Sequence, residues 1–396
     1  MPVKLVRITT VPISLKVLLR NQLRFMSQYF DVIAVSSPGR ALDDLAEYEK
    51  VAIASIRMTR SITPFKDLLA IWKMYCLLNR VKPTIVHTHT PKAGLLGMLA
   101  AKLAGVPIRL HTVAGLPLME RKGMQKMMLE MVERLTYWCA TNIYPNSSRL
   151  STHIIEKKYC REEKIMVLGN GSSNGIDTEY FSLNAQLAEQ SPSIRNHIGI
   201  DIGDFVYVFI GRLVKDKGIE ELVSAFDQLC LHSCNLKLLM IGDFEESLDP
   251  LSVETLRCIE LNNKIIRLDF QNDIRPYLAI SNALVFPSYR EGFPNVPMQA
   301  GCFNLPAIVT DINGCNEIIV HGENGLIIPP KNTEALRQAM FTLHLDAGLY
   351  NNLKANARRM VVDRYEQKYF WNLLLKEYAL QLSKNDYIPT FLEAVV

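Results

Sequence analysis

Short apolar runs alternate with longer helical patterns along nearly the whole chain, and that rhythm leaves few folds open. Runs at 3–8, 32–36, 85–87, 108–112, 143–145 and 165–168 read as strands, and 15–29, 64–79, 93–104 and 126–140 carry helical periodicity between them. Strand–helix–strand repeats of this kind build a parallel sheet with helices on both faces. The polar stretch 182–196 interrupts the pattern. It restarts with strands at 205–210, 236–241, 265–268, 283–286 and 307–310 and a helix over 218–231. A chain of 396 residues also exceeds one ordinary core. The expected fold class is α/β, with two doubly wound, Rossmann-like domains. Ligands of such sheets bind beyond the carboxyl ends of the strands, so a cleft between the domains is the expected site. Residues 354–382 continue in helical pattern and are expected to cross back. These features place an N-terminal domain at 1–190, joined by a C-terminal crossover helix at about 376–396, and a second domain at 191–375.

Composition narrows the function. An apolar content of 48% and a charged content of 21% suit a globular chain. A net charge of +4 is too mild to imply nucleic acid, yet it tolerates an anionic ligand or lipid surface. The eight cysteines include no Cys-x-x-Cys pair, and Cys230 and Cys234 have no matching histidine pair, so reduced thiols are expected and zinc is not. No window holds 18 consecutive apolar residues, and the charged start at 4–8 reads as a strand rather than a leader. The expected location is the cytoplasm, with any membrane contact peripheral.

Two loops that follow strands carry the chemistry. Gly211, after the run 205–210, lets the backbone turn close to a ligand. Arg212 and Lys217 come next, a fork-shaped guanidinium and a point-charge ammonium that together suit a diphosphate. The bland alternative is surface pairing with Asp216 or Glu220. The second loop places Glu291 on a Gly/Pro-rich turn. A helix is expected from about Pro297, where free amides attract anions.

These loops, with Asn313-Gly314-Cys315-Asn316-Glu317, Gly322-Glu323-Asn324-Gly325 and Asn174-Gly175-Ile176-Asp177, resemble the nucleotide-sugar half of the family 4 glycosyltransferases, retaining enzymes of the GT-B fold. His87-Thr88-His89-Thr90-Pro91-Lys92 and the stretch 111–117 resemble a bacterial branch that adds sugars to lipid-linked precursors of surface polysaccharides such as capsule and O-antigen. The resemblance implies a UDP-sugar donor, by resemblance an N-acetylhexosamine or deoxy derivative, and a polyprenyl-diphosphate-linked saccharide as acceptor. It assigns Arg212 and Lys217 to the diphosphate and the leaving-group charge, and Glu291 to the donor sugar. Gly211 and the backbone of Phe293, Pro294, Asn295 and Val296 would line phosphate and sugar, and Phe270 and Gln271 would lie near the base. No Asp-x-Asp triplet occurs, so neither a metal nor another cofactor is expected.

Two positions depart from the family pattern. Gln299 stands where a second glutamate usually holds the ribose; its amide oxygen still accepts from a hydroxyl. Ala114 stands where a histidine often precedes Gly115. On the acceptor side the candidates are Ser14, His89, Lys92 and Gly115. Ser14 reads first as a helix cap, and the alternative for His87 and His89 is polar groups satisfied by backbone. Residues 116–131 gather five methionines. Met127, Met131 and Leu135 recur at helical spacing, which favours a core stripe. The alternative is contact with an anionic membrane surface through Arg121, Lys122 and Lys126, which would hold the protein at the inner face of the cell membrane.

Two other functions fit this architecture. One is a UDP-sugar epimerase, for which no acid/base pair across a sugar is visible. The other is a non-catalytic or weakly active sugar-nucleotide-binding homologue, supported by Ala114 and Gln299.

Overall fold

The computed structural model describes residues 3–59, 61, 63–116, 123–245 and 249–387. The chain forms two compact units, Met1–Gly175 with Gln367–Val396, and Ile176–Glu366.

The first unit is built on six strands, β1 (Lys4–Ile8), β2 (Asp31–Ser36), β3 (Ala52–Ser55), β4 (Ile85–His89), β5 (Ile108–Val113) and β6 (Asn142–Pro145). All pairs are parallel, in the order β3-β2-β1-β4-β5-β6. The crossovers therefore leave β1 and β4 in opposite directions. The connecting helices are α1 (Pro12–Leu18), α2 (Gln22–Met26), α3 (Arg40–Glu49), α4 (Pro64–Val81), α5 (Pro91–Leu103), α6 (Gly123–Cys139) and α7 (Ser148–Glu156). Helices cover both faces, so strands such as β1 and β4 are buried almost throughout, polar side chains included.

The second unit contains α8 (Ala185–His197), β7 (Phe205–Ile210), α9 (Ile219–Cys230), β8 (Leu236–Ile241), α10 (Val253–Leu261), β9 (Ile265–Leu268), α11 (Arg275–Ala279), β10 (Ala283–Phe286), α12 (Asn295–Cys302), β11 (Ala307–Thr310), α13 (Cys315–Ile318), β12 (Gly325–Ile328), α14 (Thr333–Leu345) and α15 (Ala347–Tyr365). Its sheet is again parallel, ordered β12-β11-β10-β7-β8-β9. The direction of winding reverses between β7 and β10. A last helix, α16 (Gln367–Ser383), belongs to the first unit, where Phe370, Leu374 and Tyr378 join the core beside Leu5 and Val32.

Several elements differ from the sequence expectation. The helix expected over 15–29 is split because Asn21 adopts a left-handed backbone, φ 63°. The run 165–168 forms no strand; Ile165 makes one bridge to Ile143. The edge strand β3, only four residues long and half exposed, is not among the expected strands. The polar stretch 182–196 is helix α8, capped by the Asn184 side chain, which accepts from Leu187 N–H at 2.9 Å. The units divide at 175/176 and 366/367 rather than near 190 and 375. Ile176 N–H donates to Tyr365 O at 2.8 Å, and Phe181 and Leu187 already belong to the second core. The helical stretch 354–382 breaks at Glu366, whose backbone is extended.

Candidate active site

A doubly wound sheet opens a crevice where its winding reverses, at the carboxyl ends of the two strands that flank the reversal. In the second unit those strands are β7 and β10, and the loops after them are tied to each other. Tyr289 N–H donates to Asp216 O at 2.8 Å. Arg290 donates twice to one Asp216 carboxylate oxygen, at 2.6 and 2.9 Å. Gly218 sits in the left-handed region at φ 69°, and a Cβ there would run into the Pro287 carbonyl, so only glycine permits this approach.

The crossing sets the charged groups. The Lys217 ammonium pairs with the Glu291 carboxylate, and each side chain is 15% exposed. The same ammonium stands 5.9 Å from the centre of the Phe286 ring. Arg212 follows β7 and pairs with Glu245. The pairing of Arg212 or Lys217 with Asp216 or Glu220 does not occur: Asp216 is taken by Arg290, and Glu220 lies 3.6 Å from Lys215. Asp243 links the next loop, since its carbonyl accepts from Leu213 N–H and its carboxylate from Phe270 N–H, both at 2.9 Å. Phe270 is exposed, and Gln271 accepts from Tyr277 Oη at 3.2 Å.

The Glu291 loop is fixed from the other side by Asn313, whose amide donates to Gly292 O at 2.5 Å. Gly314, at φ 77°, lies so close that a Cβ would stand 2.9 Å from Phe293 Cα. The Phe293 ring packs edge-on against Tyr365 at 5.4 Å. Helix α12 starts at Asn295, two positions before the expected Pro297, because Pro294 serves as its extended cap. Pro297 has no N–H, so the orphan amides of the first turn belong to Asn295 and Val296. Gln299 follows Asn295 by one turn and is half-buried. Gly211, Arg212, Lys217, Glu291, Phe293, Pro294, Asn295, Val296 and Gln299 thus gather around the β7/β10 reversal, with Phe270 and Gln271 at the end of β9. Cations and orphan amides can hold a diphosphate, and a carboxylate can accept from sugar hydroxyls.

Known proteins place the chain in a family. The family model for glycosyl transferases group 1 matches residues 190–360, and that for glycosyl transferase 4-like proteins matches 15–147. The chain is 34% identical to the capsular polysaccharide biosynthesis glycosyltransferase CapM of Staphylococcus aureus, over 97% of this chain and 98% of that protein. It belongs to the family 4 glycosyltransferases of the GT-B fold. A further relative, 27% identical over 86% of each chain, is the UDP-Gal:alpha-D-GlcNAc-diphosphoundecaprenol alpha-1,3-galactosyltransferase of Escherichia coli. Among solved structures, Anabaena HepE in complex with UDP superposes with a TM-score of 0.79 at 18% identity, covering 95% of this chain and 100% of that one.

In this glycosyltransferase the reversal in the first unit, between β1 and β4, is filled by protein. Arg7 is fully buried and faces His87 in the strand register. Its guanidinium donates to Gln22 Oε1 at 2.5 Å, to His89 Nε2 at 2.9 Å and to Tyr378 Oη at 3.0 Å. Because His89 Nε2 accepts, the ring proton sits on Nδ1, a buried atom without a hydrogen-bond partner among the described residues. His87 bonds Tyr378 Oη at 2.6 Å and Thr112 Oγ1 at 2.8 Å. Side chains, not backbone, satisfy the pair, and burial with the neighbouring Arg7 charge holds both histidines well below the ordinary range. His111, bonded to Thr88 Oγ1 at 2.8 Å, is pushed down to about 4 by burial.

Of the acceptor-side residues, His89 is thus closed into this network, and Lys92 is held by Asp67 at 2.5 Å and Ser61 O at 2.9 Å. Ser14 lies inside α1 and does not cap it; Val11 occupies the cap position. Gly115 is half-buried just beyond β5, with φ 152°. Arg121 and Lys122 lie outside the described residues, and Lys126 is half-buried on α6. The Met127, Met131 and Leu135 stripe is not core: it faces out, and Glu133, Thr136, Tyr137 and Cys139 face in. Arg7 is the residue that sequence reasoning missed. Its signal is a charge inside an otherwise apolar run.

Proposed function

We propose that this glycosyltransferase moves a sugar, an N-acetylhexosamine or deoxy derivative, from a UDP-sugar to a polyprenyl-diphosphate-linked saccharide in surface-polysaccharide assembly. The transfer retains configuration at the anomeric carbon, needs no metal, and takes place at the inner face of the membrane. The observation that carries this reading is the Lys217–Glu291 pair at the β7/β10 reversal, with Arg212 on the same loop. The name of the Staphylococcus relative supports surface-polysaccharide assembly, that of the Escherichia relative supports the acceptor class, and the UDP complex of HepE supports the nucleotide.

The second unit takes the donor. Its diphosphate draws the Lys217 ammonium from Glu291, and the released carboxylate accepts from the donor sugar. Arg212, Lys217 and the amides of Asn295 and Val296 stabilise the charge that grows on the leaving phosphate. Gln299 accepts from the ribose, and Phe270 offers a face to the base. The bond from the anomeric carbon to the β-phosphate oxygen breaks, and the acceptor oxygen bonds from the same face through an oxocarbenium-like state. The acceptor proton passes to the departing phosphate. This route asks the protein for positioning and anion stabilisation rather than for a strong base.

The test is a panel of nucleotide sugars offered with a lipid-diphosphate monosaccharide and read by mass spectrometry. One donor should yield a product with a new glycosidic bond. Donor binding without turnover under saturating acceptor would support the second reading, a non-catalytic sugar-nucleotide-binding homologue, to which Ala114 and Gln299 point.

A further inference from the structure

The loops at the carboxyl edge of the second sheet stand in the order of its strands, and around the reversal that order is β10, β7, β8, β9. Glu291 follows β10, Arg212 and Lys217 follow β7, and Phe270 follows β9. With Glu291 on the sugar, the two cations on the diphosphate and Phe270 at the base, three of these four loops have a part of the donor to hold. In a nucleoside diphosphate sugar the ribose joins diphosphate to base. The loop between those of β7 and β9 is the one after β8, and it carries Glu245.

This loop is pinned to the β7 loop along its length. A Cβ on Gly242 would stand 2.0 Å from Gly211 O, and Phe244 forms a backbone bridge with Leu213. Further on, the Asp249 carboxylate accepts from Asp216 N–H at 2.7 Å. The acids at the two ends are therefore held by backbone: Asp249 by Asp216, and Asp243 by Phe270 N–H at 2.9 Å. Phe244 turns toward β9, where its ring lies 5.0 Å from the Arg267 guanidinium carbon. The Glu245 carboxylate differs. It accepts from no backbone amide among the described residues and reaches back to Arg212, with side-chain exposures of 32% and 52%. So exposed a pair contributes little to folding, and exchanging its partner costs little. Gln299 approaches from the other side, on α12 after β10, and brings an amide without charge.

We propose that Glu245 holds the ribose of the donor. In the empty site it is the counter-ion of Arg212. The diphosphate takes over the guanidinium, and the freed carboxylate accepts from the 2′- and 3′-hydroxyls, a vicinal diol offering two donors to two oxygens. The negative charge that α12 lacks at Gln299 is thus supplied by the loop after β8. The inference rests on, and deepens, the reading of a UDP-sugar donor, and it restricts that donor to a ribonucleotide.

Calorimetric titration of the full chain with UDP and with 2′-deoxy-UDP, at one ionic strength, tests it. The wild type should prefer UDP by roughly tenfold or more, because a hydrogen bond to a charged acceptor is lost with the 2′-hydroxyl. Glu245→Ala should bring the two Kd values to within about threefold of each other. Since Arg212 is then free, 2′-deoxy-UDP should bind this variant at least as tightly as it binds the wild type. Glu245→Gln keeps an acceptor and should lie between. Gln299→Ala should retain most of the preference. Unchanged melting temperatures of the Glu245 variants show that the fold is intact. An undiminished preference in Glu245→Ala overturns the proposal, as does equal binding of the two nucleotides by the wild type. A preference that only Gln299→Ala abolishes also overturns it and assigns the ribose to α12. The two readings stay apart: a wild type that binds neither nucleotide removes the UDP-sugar donor as well, whereas tight UDP binding without the preference removes the role of Glu245 alone.

Discussion

Arg290 binds one oxygen of Asp216 through both Nε and Nη2, and so clamps the loop after β10 to the loop after β7 beside Lys217 and Glu291. Neither residue is assigned to the substrate. Asp216→Ala should therefore act through position. A misplacement of about 1 Å can cost on the order of 10²-fold in rate, so kcat should fall by roughly tenfold to a hundredfold. Arg290→Lys keeps the charge but loses the fork, and should lie between the wild type and Asp216→Ala. Steady-state kinetics on both variants, with unchanged melting temperatures, check this. A variant that changes only the donor KM would place Asp216 at the ligand instead.

The Lys217–Glu291 pair and the Arg212–Glu245 pair should respond differently to mutation. Lys217 and Glu291 are mostly buried, so Lys217→Ala strands a carboxylate and should lower stability as well as rate. Adding Glu291→Gln to Lys217→Ala should restore the melting temperature and leave activity absent. Arg212 is half exposed, and its pair contributes little to folding. Arg212→Ala should melt like the wild type and lose on the order of 10²-fold in kcat. Thermal unfolding and single-turnover rates on the same preparations separate the two effects.

The parts of this site legible in sequence are those written locally. Gly211, Arg212 and Lys217 directly follow an apolar strand, and Glu291 sits on a turn before a helix, so strand ends and loop chemistry locate them. Their partners are not local. Glu245 lies 33 positions from Arg212, and Tyr378 lies 371 from Arg7. No periodicity reports such distances. The α6 stripe shows a related limit: spacing establishes that Met127, Met131 and Leu135 share a side, but not whether that side faces core or solvent. The break at Asn21 and the short, half-exposed β3 escaped because one left-handed residue and a four-residue edge strand leave almost no pattern.

Glu133 gives the stability a pH dependence that one variant isolates. Burial raises its carboxyl from 4.5 to about 7. The unfolded chain releases this proton near 4.5 and the folded chain near 7, so unfolding releases a proton between those values. Stability from this group is fully present below pH 4.5 and is lost as pH rises to about 7. The buried histidines act oppositely, since His111 falls from 6.5 to about 4 and costs stability as pH drops through that window. The wild-type curve mixes both trends. The difference between Glu133→Gln and wild type removes the histidines: it should be near zero at pH 4.5, grow to about 3 kcal/mol in favour of the variant by pH 7, and stay flat above. Urea titrations across this range measure it, and a pH-independent difference would contradict the raised carboxyl.

Thr90 adopts φ 72° and ψ 144° at the cap of α5, a conformation that a β-branched residue rarely takes. Such strain costs on the order of 1–3 kcal/mol and persists where surrounding structure imposes it. Here the loop after β1 imposes it: Thr10 Oγ1 bonds Thr90 Oγ1 at 2.8 Å, Thr10 N–H donates to the same oxygen at 3.3 Å, and Ala93 N–H donates to Thr10 Oγ1 at 3.2 Å. The contacts lie at the carboxyl end of β4, in sequence between the acceptor-side candidates His89 and Lys92. Glycine would relieve the backbone but release the β1 loop. Thr90→Gly should melt at or above the wild-type temperature while kcat/KM for the lipid-linked acceptor falls roughly tenfold through lost positioning. Thr90→Ser keeps the hydroxyl and should retain the rate without the gain in stability. Full activity in Thr90→Gly would show that the strained turn serves folding alone, and the acceptor must then be sought away from the end of β4.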